Sequence, residues 1–149
     1  MKLHADANPS LNTVTAYGPG FIEINRVRYE TAVAFGPEGD IDRWPAKGHL
    51  DISIDLLRQA CHLSPAKVDP LAFLDAGDNQ APTPDPNQPE VLLIGTGARQ
   101  HMLERDILAP LLRSGIGVEC MSTPAAARTY NVLMAEGRRV IAALLTEES

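Results

Sequence analysis

Apolar and polar positions alternate through the N-terminal part of the chain, which is typical of strands with one buried face. The segments 21–24 and 27–35 follow this pattern and predict two strands. Asn25 and Arg26 lie between them and predict a hairpin turn. A two-residue turn favours glycine where Arg26 stands, so a longer or distorted turn is the alternative.

The stretch ahead of this hairpin is less regular. Residues 1–12 carry no periodic pattern and predict a loose tail, and 14–17 is a short β-prone segment. This segment ends at Gly18-Pro19-Gly20, a strong turn signal. We therefore expect ordered structure to begin near Val14 with a strand.

A helix is predicted from a cap at Asp51 or Ser53 to about His62, because apolar side chains recur there at helical spacing. The residues from Leu50 to Leu56 also alternate, so a strand that starts near residue 50 is the alternative. Ile41 and Trp44 give the preceding loop two apolar anchors, and we expect Trp44 to pack in the core.

Residues 64–89 hold six of the twelve prolines and predict a long loop that is disordered on the surface, with a functional loop as the alternative. Its apolar residues are expected to dock on the body of the protein or on a partner; they are Leu71, Phe73 and Leu74.

The C-terminal half predicts a strand, helix, strand, helix, strand series. The uninterrupted apolar run 91–94 is typical of a strand covered on both faces. The following elements are a helix over 107–112 that contains Pro110, a strand at 118–121, a helix over 124–136 and a strand at 139–145. This order implies parallel neighbours joined by right-handed crossovers. The sequence thus predicts one α/β domain over residues 1–149, with the N-terminal strands extending its sheet or packing on it.

Charge and length exclude several classes of function. The formal net charge of −6 disfavours nucleic acid, whose binding depends on clustered Lys and Arg. No apolar run approaches the roughly 20 residues of a membrane-spanning helix. Residues 1–10 resemble neither a secretory signal nor a transit peptide, so we expect a bacterial-type cytoplasm.

The residue types that carry common chemistry lack their usual spacing. Cys61 and Cys120 are far apart and predict reduced, buried thiols. His101 has no histidine at metal-binding spacing, so no metal site is predicted. Ser122 lacks a nucleophile-elbow motif, and no catalytic residue is predicted.

The loop Gly95-Thr96-Gly97 follows the buried strand, at the position where open α/β sheets place ligand-binding loops. A dinucleotide fingerprint would need a third glycine where Gln100 stands, although Glu119 lies about where a ribose-binding acid is expected. The alternative is structural, since glycine turns tightly with positive φ.

Two arginines flank this loop in the predicted fold. Arg99 follows it, and Arg128 is predicted in the first turn of the helix that Thr123 would cap. With the helix amides they would form an anion site. The alternative pairs Arg128 with a local carboxylate. Asn131 is a poor helix former and predicts a side-chain clamp to the Gly95 loop in preference to a catalytic role. The candidate ligand-binding residues are Gly95, Thr96, Gly97, Arg99, Arg128 and Asn131.

Three motifs together resemble the domain-of-unknown-function family numbered 498. They are Leu92–Gly97, Gly115–Glu119 and Ala126–Leu133 with Glu136-Gly137-Arg138. That family includes a methanogen protein of unknown role and the mitochondrial respiratory complex I assembly factor 3. The resemblance implies a compact three-layer α/β domain with a mixed central sheet and, for the mitochondrial members, assembly of complex I without catalysis.

The chain departs from this family pattern in its proline-rich 64–89 segment and in Arg26, where the hairpin usually has glycine. Our first hypothesis is a non-enzymatic, cofactor-free module that binds other proteins, including respiratory complex I subunits. The alternative is an enzyme or sensor that binds a small anion or nucleotide at the Gly95 loop.

Overall fold

The computed structural model describes residues 11–63 and 88–146, and this part of the chain forms eight strands and three α-helices. The strands are β1 Val14–Gly18, β2 Phe21–Ile24, β3 Val27–Tyr29, β4 Val33–Phe35, β5 Asp42–Arg43, β6 Val91–Gly95, β7 Gly117–Met121 and β8 Val140–Leu144. The helices are α1 Ile54–Ala60, α2 Arg105–Arg113 and α3 Thr123–Ala135, and His49–Asp51 forms a 3-10 turn.

The central sheet has five strands in the order β5-β4-β8-β6-β7. β6 runs parallel to β7 and β8, whereas β4 is antiparallel to β5 and β8. The sheet is therefore mixed, and β6-α2-β7-α3-β8 is the predicted series of parallel strands and crossover helices. The α/β fold class predicted from the sequence is confirmed.

The N-terminal strands form a separate antiparallel sheet in the order β1-β2-β3. The single strand predicted over 27–35 is wrong, because the chain breaks after Tyr29 and crosses from this small sheet to the central one. All three residues of β4 are buried, whereas β3 is largely exposed. A burial pattern that changes between the two halves marks the transfer, which local alternation did not reveal.

The turn between β2 and β3 is a regular two-residue turn despite the arginine. Ile24 pairs directly with Val27, and φ is +54° at Asn25 and +70° at Arg26. Both residues thus adopt the left-handed region, and the longer turn considered from the sequence does not form. The Arg26 amide donates a hydrogen bond to the Thr15 hydroxyl at 3.1 Å, which supports the strained residue.

Ser53 begins α1, since its hydroxyl accepts a hydrogen bond from the Leu56 amide at 3.2 Å. Asp51 lies instead in the 3-10 turn, and the alternative strand near residue 50 is wrong. Trp44 is buried, as expected, and its indole N–H donates to the Leu56 carbonyl at 3.0 Å.

The two faces of the central sheet carry two hydrophobic clusters. Leu92 and Ile94 point to the face covered by α1 and α2. Leu93 points to the opposite face, where it packs with α3 and with Ile22 and Ile24 of the small sheet. The protein therefore has three layers, in agreement with the fold implied by the family resemblance.

Asn12, which the sequence placed in the tail, is buried, and its side-chain amide donates to the carbonyls of Gly36 and Gly39, each at 2.9 Å. Most of the predicted tail and of the 64–89 loop, including its apolar residues, lies outside the described residues. None of the helices in residues 11–63 and 88–146 has the length and hydropathy that crossing a membrane requires.

Candidate functional site

The chain leaves β6 toward α2 on one face of the central sheet and leaves β7 toward α3 on the other. In open α/β sheets, ligands bind in the crevice at the carboxyl ends of strands where the connections diverge in this way. Gly95 ends β6 and Met121 ends β7, so the predicted Gly95-Thr96-Gly97 loop lies at this point.

The two glycines of the loop are needed for different reasons. Gly97 has φ +100°, the left-handed conformation expected from the sequence. Gly95 has no positive φ; a Cβ built on it would lie 2.8 Å from both the Leu144 Cδ2 and Thr123 Oγ1 atoms. Gly95 is therefore required by the close approach of α3 and β8, and the expectation of a positive φ there is wrong.

Thr96 is fully buried and holds the loop to β7. Its amide donates to the Met121 carbonyl at 2.9 Å, and its hydroxyl lies 2.7 Å from the Arg99 carbonyl. The same hydroxyl accepts a hydrogen bond from the His101 amide at 2.9 Å. Thr96 therefore fixes the path of the loop from inside.

Thr123 joins the loop, α3 and β8. Its amide donates to the Gly97 carbonyl at 2.7 Å, and its hydroxyl accepts from the Gly97 amide at 2.9 Å and donates to the Leu145 carbonyl at 2.7 Å. The helix cap is Ser122, whose hydroxyl accepts from the Ala125 amide, so the prediction of Thr123 as the cap is wrong. Thr123 occupies the first helical position, because its hydroxyl bonds these two buried partners from there.

These bonds occupy several of the backbone donors at the loop and at the start of α3. The amides of Thr96, Gly97 and Thr123 all have protein acceptors, Pro124 has no N–H, and the Ala125 amide is bound to the cap. The anion site remains a prediction that rests on the arginines.

Arg128 lies in the second turn of α3 rather than the first, and its Nη1 donates to the Tyr17 hydroxyl at 2.9 Å. This bond connects α3 to β1 at the surface. Among the described residues, the predicted alternative of a pair with a local carboxylate does not form. Arg99 is exposed next to Ala98. Within residues 11–63 and 88–146, neither arginine forms an ion pair.

Asn131 makes the predicted side-chain clamp with a different partner. Its Oδ1 accepts from the Val14 amide at 3.0 Å, and its Nδ2 donates to the Val14 carbonyl at 2.8 Å. The predicted bridge to the Gly95 loop is wrong, because Asn131 lies two turns from the end of α3 that meets the loop. The clamp holds β1 against the helix.

A cleft of about 280 Å³ opens beside the loop, between it and the turn that connects β1 to β2. We call it the Gly97 cleft. It is lined by Tyr17, Gly18, Pro19, Gly20, Phe21, Ile22, Gly97, Ala98, Thr123, Pro124, Leu145 and Thr146. Sequence reasoning found Gly97 and missed the opposite wall. The signal for that wall was an aromatic residue on each side of Gly18-Pro19-Gly20, which a turn would bring together.

The buried cysteines are not activated. Burial raises the pKa of Cys61 to about 12, and burial also raises the pKa of Cys120. Both are free thiols, as predicted, and they stay protonated near neutral pH. The His49 and His101 rings stack with centroids 3.7 Å apart. The described residues contain no group of three or more side chains that could hold a metal ion.

The fold and this site define a class: a three-layer α/β protein with an apolar surface cleft at the carboxyl edge of its parallel strands. The chain belongs to the family described as protein of unknown function DUF498/DUF598, whose model matches residues 14–145. This confirms the resemblance seen in the sequence motifs.

Some curated relatives of the chain are named as assembly factors of NADH dehydrogenase. A Danio rerio protein named NADH dehydrogenase [ubiquinone] 1 alpha subcomplex assembly factor 3 is 34% identical over 103 residues, which cover 69% of this chain and 47% of that protein. A Rhodobacter capsulatus uncharacterized protein is 50% identical over 58 residues, or 39% of this chain and 47% of the relative. The chain thus spans about half the length of these curated relatives.

The solution structure of a Bordetella pertussis protein, described as an Mth938-like domain, has a TM-score of 0.77 and 55% identity. The alignment covers 100% of this chain and 95% of that one. The fold described above is therefore the Mth938-like fold.

Proposed function

We propose that this protein binds other proteins and assists the assembly of respiratory complex I. The observation that carries the proposal is the 34% identity, over 69% of the chain, to a Danio rerio protein named as a complex I assembly factor. Because one fold hosts many functions, the transfer by homology needs support from the site itself.

The chemistry of the site supports binding rather than bond-making. The Gly97 cleft is walled mainly by apolar and small residues, and Tyr17 beside it is 37% exposed. Exposed aromatic residues around a concave apolar surface are typical of recognition sites. The raised pKa values of Cys61 and Cys120 leave both sulfurs as poor nucleophiles.

The partners we propose are subunits of respiratory complex I, met in the cytoplasm by a single domain of residues 1–149. The net charge of −6 argues against nucleic acid as a partner. The proposed role needs no cofactor.

Capture of the tagged protein from its own host tests the proposal, with mild cross-linking at low salt and mass spectrometry of the eluate. We expect specific enrichment of complex I subunits over an unrelated tagged protein of similar size and charge. Deletion of the gene should also lower the amount of assembled complex I on native gels. No enrichment together with normal assembly would contradict the proposal.

The second candidate is a sensor or enzyme that binds a small anion, and it is favoured because Arg99 and Arg128 form no ion pair within residues 11–63 and 88–146. Since the Thr96 and Gly97 amides have protein acceptors, a carboxylate held by side chains is a better candidate than a nucleotide phosphate. A ligand that binds the folded state must raise the apparent melting temperature. A screen of phosphates, nucleotides and carboxylates that gives no shift would exclude this candidate.

A further inference from the structure

The Gly97 cleft combines an apolar interior with a wall that is fixed by hydrogen bonds. Tyr17, Phe21 and Pro124 contribute large apolar surface from β1, β2 and α3. The loop side is held by the Thr123 bonds to Gly97 and Leu145. A preformed apolar cleft loses little conformational entropy when a side chain enters it.

The described residues that line the cleft are uncharged, and the charged side chain bonded to one of them is a cation. None of the described residues that line the cleft is acidic, although the chain has a net charge of −6. Arg128 is bound to the Tyr17 hydroxyl, which places a cation at the wall of the cleft. Arg99 follows the lining residue Ala98 in the chain.

Arg128 also differs from the arginines that are neutralised elsewhere on the surface. Arg28 forms an ion pair with Glu30 at 3.0 Å, and Arg138 forms one with Glu90 at 2.7 Å. Arg128 instead contacts a neutral hydroxyl. Its remaining N–H groups can therefore bind a carboxylate from another molecule without breaking an internal ion pair.

We propose that the Gly97 cleft is the docking site for an acidic segment of a partner protein. A large apolar side chain of the segment enters the cleft, and a neighbouring carboxylate pairs with Arg128. The volume of about 280 Å³ lies just below the roughly 300–1,000 Å³ of sites for drug-sized ligands and suits one side chain. This inference rests on the proposed function and adds to it the surface and the chemistry of the partner.

Fluorescence anisotropy with three labelled peptides tests the docking chemistry. The probes are Asp-Asp-Phe-Asp-Asp, its charge-reversed form Lys-Lys-Phe-Lys-Lys, and Asp-Asp-Gly-Asp-Asp without the apolar anchor. We expect the first peptide to bind about tenfold more tightly than either of the others. Its affinity should fall as added salt screens the ion pair. Equal affinity for all three would overturn the proposal, and so would the absence of binding.

Two variants locate the binding at the cleft. Arg128→Glu should lower the affinity for the first peptide about tenfold or more, because it reverses the charge beside the cleft. Ala98→Trp should block the cleft, because Ala98 is an exposed lining residue. Matched controls lie away from the cleft: Arg113→Glu and Ala135→Trp, both at exposed positions, should bind as the unmodified protein does. Circular dichroism should show the same fold in all four.

If Arg113→Glu loses as much affinity as Arg128→Glu, the effect is one of net charge and the proposal is wrong. If phenylacetate binds as tightly as the first peptide, the cleft is a site for a small ligand and the proposal of a partner segment is wrong. A wrong proposed function would give a different result. The acidic peptide would still bind at the cleft, but complex I subunits would not be captured.

Discussion

Two of the turns that use the left-handed backbone region differ in what surrounds them. At the Gly95–Gly97 loop, φ is +100° at Gly97, and the backbone of the loop is packed against α3 and β8. At the tip of the β2–β3 hairpin, φ is +70° at Arg26, and that residue is exposed. In the loop, lack of space excludes a side chain at Gly95. In the hairpin turn, the side chain of Arg26 has space, and its cost is only the torsional strain of a positive φ.

This difference separates two costs that a glycine can avoid. Overpacking of a rigid interior typically costs about 1–3 kcal/mol, and a non-glycine residue in the left-handed region costs about 1–2 kcal/mol. An exposed turn can bear the smaller cost. The four substitutions below test whether packing or strain dominates in each region.

Gly95→Ala should have the largest effect and destabilise the protein by about 3 kcal/mol. The new Cβ would lie 3.0 Å from the Thr123 Cα, and a backbone atom cannot move aside cheaply. Urea denaturation measures the change. Gly48→Ala is the control, since Gly48 has φ −146° and no atom within 4 Å of the added Cβ. Equal losses in the two variants would contradict the space argument.

Thr123→Val should cost about 2 kcal/mol, because it leaves the buried Gly97 amide and Leu145 carbonyl without a partner. Thr123→Ser keeps the hydroxyl and should recover most of the loss in thermal melts. A valine variant as stable as the unmodified protein, together with an unstable serine variant, would show that the methyl group and not the hydrogen bonds holds the loop.

Asn131→Ala should cost about 1.5 kcal/mol by removing both bonds to Val14. Amide hydrogen exchange at Val14 should become faster, whereas exchange in β6 should change less. Val132→Ala is the control on the exposed face of α3, where the side chain is 57% exposed. Unchanged exchange at Val14 would show that the clamp does not hold β1.

Arg26→Gly should have the smallest effect and stabilise the protein by about 0.5 kcal/mol, since relief of strain exceeds the added chain entropy. Arg26→Ala keeps the strain and should give no gain. Denaturation at equilibrium distinguishes them. A stabilisation by alanine equal to that of glycine would place the cost in the arginine side chain and not in φ.

The C-terminal half could be predicted from the sequence because each element carries its own pattern. The apolar run 91–94 and the proline at the start of α3 are local signals, and the structure has β6 and α3 there. The division of 27–35 between two sheets could not be predicted, because the alternation continues through the break. Only packing against β8 distinguishes β4 from β3.

The position of the Gly95–Gly97 loop could be predicted from the sequence, but the hydrogen bonds around it could not. A loop after a buried strand is a local feature, so Gly97 was found. The roles of Thr123 and Asn131 depend on Leu145 and Val14, which are distant in sequence. No spacing rule connects a helix residue with such partners. The cleft was missed for the same reason, since its walls come from separate parts of the chain.

The order of the strands has a consequence for the newly made chain. β8 is synthesised after β4 and β6, yet it lies between them in the finished sheet. Until residues 140–144 leave the ribosome, β4 and β6 have no partner between them. Unpaired strand edges invite pairing with other chains. We therefore expect a stop codon ahead of Val140 to yield an aggregating product rather than a smaller folded one, because β4 and β6 would lack the strand that joins them.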